Sequence, residues 1–109
     1  MILDSSTTSD IKEHSLREFP NECCGLILSR NGDAKSFECK NISDNKRSNF
    51  SIDPKDYLEA QKRGEIIAYY HSHTNQNENF SEIDKLFSSS NKLPLILYSF
   101  KNNKFSIYG

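Results

Sequence analysis

Glu65-Ile66-Ile67-Ala68-Tyr69-Tyr70-His71-Ser72-His73 reads as one β-strand, an apolar run without glycine or proline that ends in two histidines. Both of its faces are apolar, Ile67 and Tyr69 on one side and Ile66, Ala68 and Tyr70 on the other. That predicts a strand covered on both sides in the interior of a sheet. His71 and His73 stand two apart, so their imidazoles leave the same face and Ser72 points the other way. The polar connection from Thr74 to Phe80 is long enough to fold back over the strand end. Ser81 then opens a predicted helix with Asp84 in its first turn. Two imidazoles and a carboxylate can thus meet one metal ion.

His71, His73 and Asp84 are zinc-type donors, and three such ligands leave one tetrahedral position open, as in a catalytic rather than a structural site. One Zn2+ per chain is expected. Hydrolysis at such a site also needs a base that takes a proton from water and passes it to the departing amine. Glu22, in Pro20-Asn21-Glu22-Cys23-Cys24-Gly25, is the candidate. Ser81-x-x-Asp84 before an apolar run is equally the pattern of an ordinary helix N-terminus. What separates the two readings is its conjunction with the histidines and Glu22. His14 has no such company and reads as a surface residue, not a ligand. Cys24 shares a strand face with Glu22 and is either a small buried residue or a fourth ligand that closes the site.

The length of 109 residues predicts one domain, residues 1–109, with a single modest core. Fourteen Lys and Arg against 15 Asp and Glu leave a formal charge of −1, with the cations scattered. The electrostatic footprint of a nucleic-acid binder is missing, and no nucleic-acid partner is expected. Met1-Ile2-Leu3-Asp4 has neither the basic start nor the apolar length of a secretory signal, and no apolar run is long enough for a membrane span. A soluble, cytoplasmic protein without a membrane partner is expected. Three cysteines, Cys23, Cys24 and Cys39, without a CxxC pair predict reduced thiols rather than disulfides or a cysteine zinc cage.

Elsewhere, Asp10 and Glu13 predict a capping box for a first helix that runs to about Glu18, with Ile11, Ser15 and Glu18 on one side, and Pro20 ends it. Glu22 to Ser29 is predicted as a strand, Asn31-Gly32 as a hairpin turn and Ala34 to Ile42 as the partner strand. Ser43 to Asn49 is a polar surface flap or loop, and Phe50 to Ile52 a short strand. Asp53 as N-cap, Pro54 as first residue and Gly64 as stop delimit a second helix with Tyr57, Leu58 and Gln61 inward. The Ser81 helix weakens over Ser88 to Asn91. Leu95 to Phe100 and Lys104 to Tyr108 complete the sheet around a turn at Lys101 to Lys104.

The pattern Glu22 … His71-Ser72-His73-x7-Ser81-x2-Asp84 resembles that of the JAMM metallopeptidases, the MPN-domain proteins. Phe19-Pro20-Asn21-Glu22-Cys23-Cys24-Gly25-Leu26, Phe50-Ser51-Ile52-Asp53-Pro54-x-Asp56-Tyr57, Gly64-Glu65-Ile66 and Leu93-Pro94-Leu95-Ile96 resemble the prokaryotic JAB branch, most closely its tail-assembly members from lambda-like phages. The likeness runs from about Ile11 to Tyr108. It departs at Thr74, where the family usually has proline. The resemblance implies an α/β (α+β) fold of the MPN/JAB, cytidine-deaminase-like kind, a central mixed sheet flanked by about three helices. It implies a zinc peptidase or isopeptidase with Glu22 as general base and Ser81 as hydrogen-bond donor to the oxyanion. The implied substrate is a protein or peptide, for example a ubiquitin-like protein or a phage tail protein. A reading from another class is an MPN-like scaffold that binds assembly partners without catalysis, against which the intact ligand set argues.

Overall fold

The computed structural model describes residues 3–75 and 77–109. Helix α1 spans Ser5–Glu18, strand β1 Cys24–Arg30, β2 Asp33–Cys39, helix α2 Pro54–Arg63, β3 Glu65–His73, α3 Glu82–Asn91, β4 Leu95–Ser99 and β5 Lys104–Tyr108. The strands form one sheet in the order β2-β1-β3-β4-β5. All neighbours are antiparallel except β3 and β4, which run parallel and are joined through α3. A parallel pair needs such a crossover, and it returns the start of α3 to the carboxyl end of β3.

The central strand has the bounds its sequence predicts, and both its faces are covered. On one face Ile11 of α1 packs with Cys23, Ile27, Ala68, Tyr70 and Ile96. On the other, Ala60 of α2 and Phe87 of α3 pack with Cys24, Leu26, Tyr69 and Leu95. Simple alternation fails at one place. The register between β1 and β3 shifts between Ile27 and Leu28, which pair with Ala68 and Ile66, so Ile67 is an extra residue. This bulge sends Ile66 to the cluster of Tyr69 and Ile67 to that of Tyr70, the reverse of strict alternation.

Local signals that need no tertiary partner hold. Asn31 and Gly32 both have positive φ, 53° and 86°, as a two-residue hairpin turn requires. Asp53 accepts the Lys55 N–H at 2.9 Å, Pro54 opens α2, and the Gly64 N–H closes it on the Ala60 carbonyl. Where burial decides, the structure departs from expectation. Helix α1 begins at Ser5, capped by Asp4, whose carboxylate accepts the Thr7 N–H at 2.7 Å. Asp10 and Glu13 lie inside the helix, because Thr7, Ile11, His14 and Ser15 form its buried face. Glu18 is exposed, and on α2 so are Leu58 and Gln61; Ala60 is the buried residue there. Strand β1 starts at Cys24 rather than Glu22, and β2 stops at Cys39. Phe50 to Ile52 contributes a single bridge, Asn41 to Ile52, instead of a strand. Helix α3 runs on through Ser88, which is buried with its hydroxyl donating to the Leu93 carbonyl at 2.9 Å.

His14 is the largest correction. It is 3% exposed, and its Nδ1 lies 2.7 Å from the Tyr70 hydroxyl. Gly25 faces Tyr70 across the strand pair, and a Cβ there would overlap the tyrosine ring and the Phe37 carbonyl. The missing side chain lets Tyr70 cross β1 and reach the helix. Gly25→Ala should therefore cost about 1–3 kcal/mol in denaturant unfolding; a variant as stable as the parent would show that the ring is free to move aside. Burial, with Arg17 adding and Glu38 and Glu18 opposing, lowers the His14 pKa. The unfolded chain then binds a proton near pH 6.5 that the folded chain resists, so stability is complete above that pH and falls as pH drops through it. His14→Gln should lose less Tm between pH 7 and pH 5.5 than the parent; equal losses would place the acid sensitivity elsewhere.

Candidate metal centre

The two histidines end β3, and β1 brings Glu22 to them. Cys24 pairs with His71, and one step earlier Cys23 and Ser72 clasp each other. The Cys23 N–H donates to Ser72 Oγ at 2.8 Å, and the Ser72 N–H donates to the Cys23 carbonyl at 3.1 Å. Ser72 thus points away from the histidines, as alternation predicts, and ties their strand to the segment that carries Glu22. Helix α3 delivers Asp84. Ser81 Oγ accepts the Asp84 N–H at 3.0 Å, and the Ser81 N–H donates to Asp84 Oδ2 at 2.9 Å, a reciprocal capping box. In the connection, Asn75 and Asn77 accept the N–H groups of Asn77 and Asn79, bending the chain by side-chain turns.

Backbone carbonyls fix the imidazole tautomers. His71 Nδ1 is 3.0 Å from the Ile96 carbonyl, and His73 Nδ1 is 3.2 Å from the Asn77 carbonyl. A carbonyl only accepts, so both Nδ1 atoms carry hydrogen, and each neutral ring presents its lone pair at Nε2. Those Nε2 atoms stand 3.2 and 3.0 Å from the same atom, Asp84 Oδ2. Three acceptors converging in a buried place require a cation between them. At His73 a proton can serve: burial opposes the imidazolium, yet Asp84 and Glu22 outweigh it and raise its pKa. His71 Nε2 is buried and has no aligned hydrogen-bond partner among the described residues. It is a metal-ready lone pair in a nitrogen and oxygen donor set of the kind that holds first-row divalent ions.

Glu22 joins from the side. One ligand atom each of Glu22, His71 and His73 lies within 4.8 Å of the others. The two carboxyls live in different environments. Burial disfavours charge on Asp84, but the two imidazoles and the Ser81 N–H hold it well below the usual carboxylate range. Burial pushes the Glu22 carboxyl up to about 8, His73 opposing and Asp84 adding. One carboxylate is kept as a permanent anion, and the other can gain and lose a proton near neutral pH, a division of labour typical of acid–base sites.

The five residues singled out from sequence, Glu22, His71, His73, Ser81 and Asp84, are brought together. Cys24 stays apart: its thiol faces the Lys40 and Cys39 carbonyls at 3.6 and 3.9 Å, and burial holds its pKa far above the usual thiol range. Sequence reasoning missed the Ile96 and Asn77 carbonyls, which have no residue signature. It also missed Phe50, whose ring stands 4.9 Å from that of His71 and walls the site. Among the described residues no helix is long and apolar enough to cross a membrane.

The family of prokaryotic homologs of the JAB domain matches residues 4–106. Tail tip assembly protein K of Escherichia phage N15 is 33% identical over 88 residues, which are 81% of this chain and 36% of the phage protein. The chain therefore spans just over a third of the length of that relative. The solution structure of protein DSY2949 from Desulfitobacterium hafniense is similar in fold, with a TM-score of 0.73 over 94% of this chain and 77% of that one at 22% identity. The chain belongs to the prokaryotic JAB-domain family.

Proposed function

We propose that the chain is a zinc-dependent metallopeptidase that hydrolyses a peptide or isopeptide bond. The supporting observation is the convergence of two backbone-fixed imidazole lone pairs on one buried carboxylate, with a second, proton-exchanging carboxyl beside them. His71, His73 and Asp84 would hold one zinc ion, which when bound polarises a scissile carbonyl and lowers the pKa of water to roughly 7. Glu22 takes a proton from the attacking water and hands it to the departing amine. Ser81 Oγ already accepts from the Asp84 N–H, but its O–H proton has no acceptor among the described residues and can be donated to the oxyanion. The cap and the catalytic role are compatible, because one uses the oxygen lone pair and the other the hydrogen.

A protein or peptide is the substrate class. The likeness to a tail tip assembly protein favours a phage tail protein, and a ubiquitin-like protein is the other substrate that the JAMM resemblance implies. The name of that relative also supports a second reading, an assembly scaffold that uses the same surface without turnover.

Elemental analysis of protein purified without added metal should find near one zinc per chain. A value near zero with no uptake on zinc addition would leave the scaffold reading. Asp84→Ala should weaken zinc binding at least about tenfold, as losses around a metal site commonly do; unchanged binding would make Glu22, His71 and His73 the holding set instead. Glu22→Gln should keep its zinc and lose turnover, whereas Ser81→Ala should retain zinc and turn over about 10²- to 10³-fold more slowly. Glu22→Gln that loses its metal would contradict a pure base role.

A further inference from the structure

Asn41 lies just beyond β2, where its bridge to Ile52 closes the base of the loop between them. Its amide is used completely. Nδ2 donates to the Glu22 carbonyl at 2.9 Å and to the Asn49 carbonyl at 3.1 Å. Oδ1 accepts the Ser43 and Ser51 N–H groups, each at 3.0 Å. The orientation is determined by these partners, since the flipped amide would set donors against donors and acceptors against acceptors. One side chain therefore fastens both ends of the loop to each other and to Glu22.

The loop then grips Glu22 a second time, because the Glu22 N–H donates to the Lys46 carbonyl at 2.7 Å. Glu22 precedes β1, so these two bonds replace the sheet ladder at that residue. Its carboxyl makes no hydrogen bond among the described residues. Backbone placement aims it at the histidines, and Asn41 holds that backbone at the Glu22 carbonyl.

We infer that Asn41 is a positioning residue for Glu22, acting through the loop of residues 42–49. The inference rests on Glu22 being the general base of the proposed metallopeptidase. It assigns a function to a loop that otherwise looks like solvated surface. A base that drifts by about 1 Å can lose about 10²-fold in rate, although no ligand to the metal has changed.

Amide hydrogen exchange followed by NMR reads the tether directly, with zinc content and steady-state hydrolysis measured on the same proteins. In Asn41→Ala the Glu22 amide should exchange at least about tenfold faster, while the amides of Leu26 and Tyr70 in the ladder are unchanged. Asn41→Asp keeps the acceptor for Ser51 but loses both donors, so Glu22 should be released while the Ser51 amide stays protected. Both variants should keep one zinc per chain and lose kcat with little change in KM. Unchanged Glu22 exchange in both would overturn the inference, as would acceleration shared by the whole sheet. Exchange needs no turnover, so a parent protein that binds no zinc and cleaves nothing would sink the metallopeptidase reading separately, whatever the amides report.

Discussion

A buried carboxylate between two imidazole lone pairs is the constraint around which this protein is arranged. Taking the Asp84 charge out of water is costly unless partners compensate it. The start of α3 supplies some of that compensation through its capping N–H and its dipole, and the rest must come from a cation. The carbonyls of Ile96 and Asn77 make the demand specific, because they prevent either neutral ring from turning a donor toward Asp84. Ile96 is there because β4 pairs parallel with β3 and sets Tyr70 opposite it. The one parallel pair in the sheet is thus part of the site.

The two faces of β3 divide the work. Tyr69, His71 and His73 look toward α2 and α3, where the polar cluster meets the aromatic wall of Phe50. Ala68, Tyr70 and Ser72 look toward α1, and there the chain is built for cohesion: Tyr70 reaches His14 through the gap left by Gly25, and Ser72 locks onto the backbone of Cys23. A serine between the two histidines therefore serves the side opposite to theirs. It holds the Glu22 segment in place from behind.

How much of this could be read in the residues follows from the range of the forces involved. The hairpin at Asn31-Gly32, the helix between Asp53 and Gly64 and the run of β3 are written in local chemistry, and they stand where that chemistry puts them. The start of α1 depends on Thr7 being buried against the sheet, which Ser5-Ser6-Thr7-Thr8 does not announce. His14 looked like surface because its partner is 56 residues away and is reached only through a hole at Gly25. The bulge at Ile67 is a property of two strands together, so alternation along one strand misplaced both isoleucines. At the centre, the side chains were legible by type and spacing. The carbonyls that orient them, and the amide of Asn41, were not, because a backbone acceptor has no identity and an asparagine in a polar loop looks like any other.

Sequence distance also governs when such a site can come into being. Cys23 and Ser72 are 49 residues apart, His71 and the Ile96 carbonyl 25, His73 and Asp84 11. A zinc finger closes over a short local spacing, so metal can gather its chain before any sheet exists. Here β1, β3, β4 and α3 must already be docked before the lone pairs converge, and contacts of this span form slowly. An ion bound at this centre would therefore be held only once the sheet has formed, and its affinity would report on the integrity of the whole sheet.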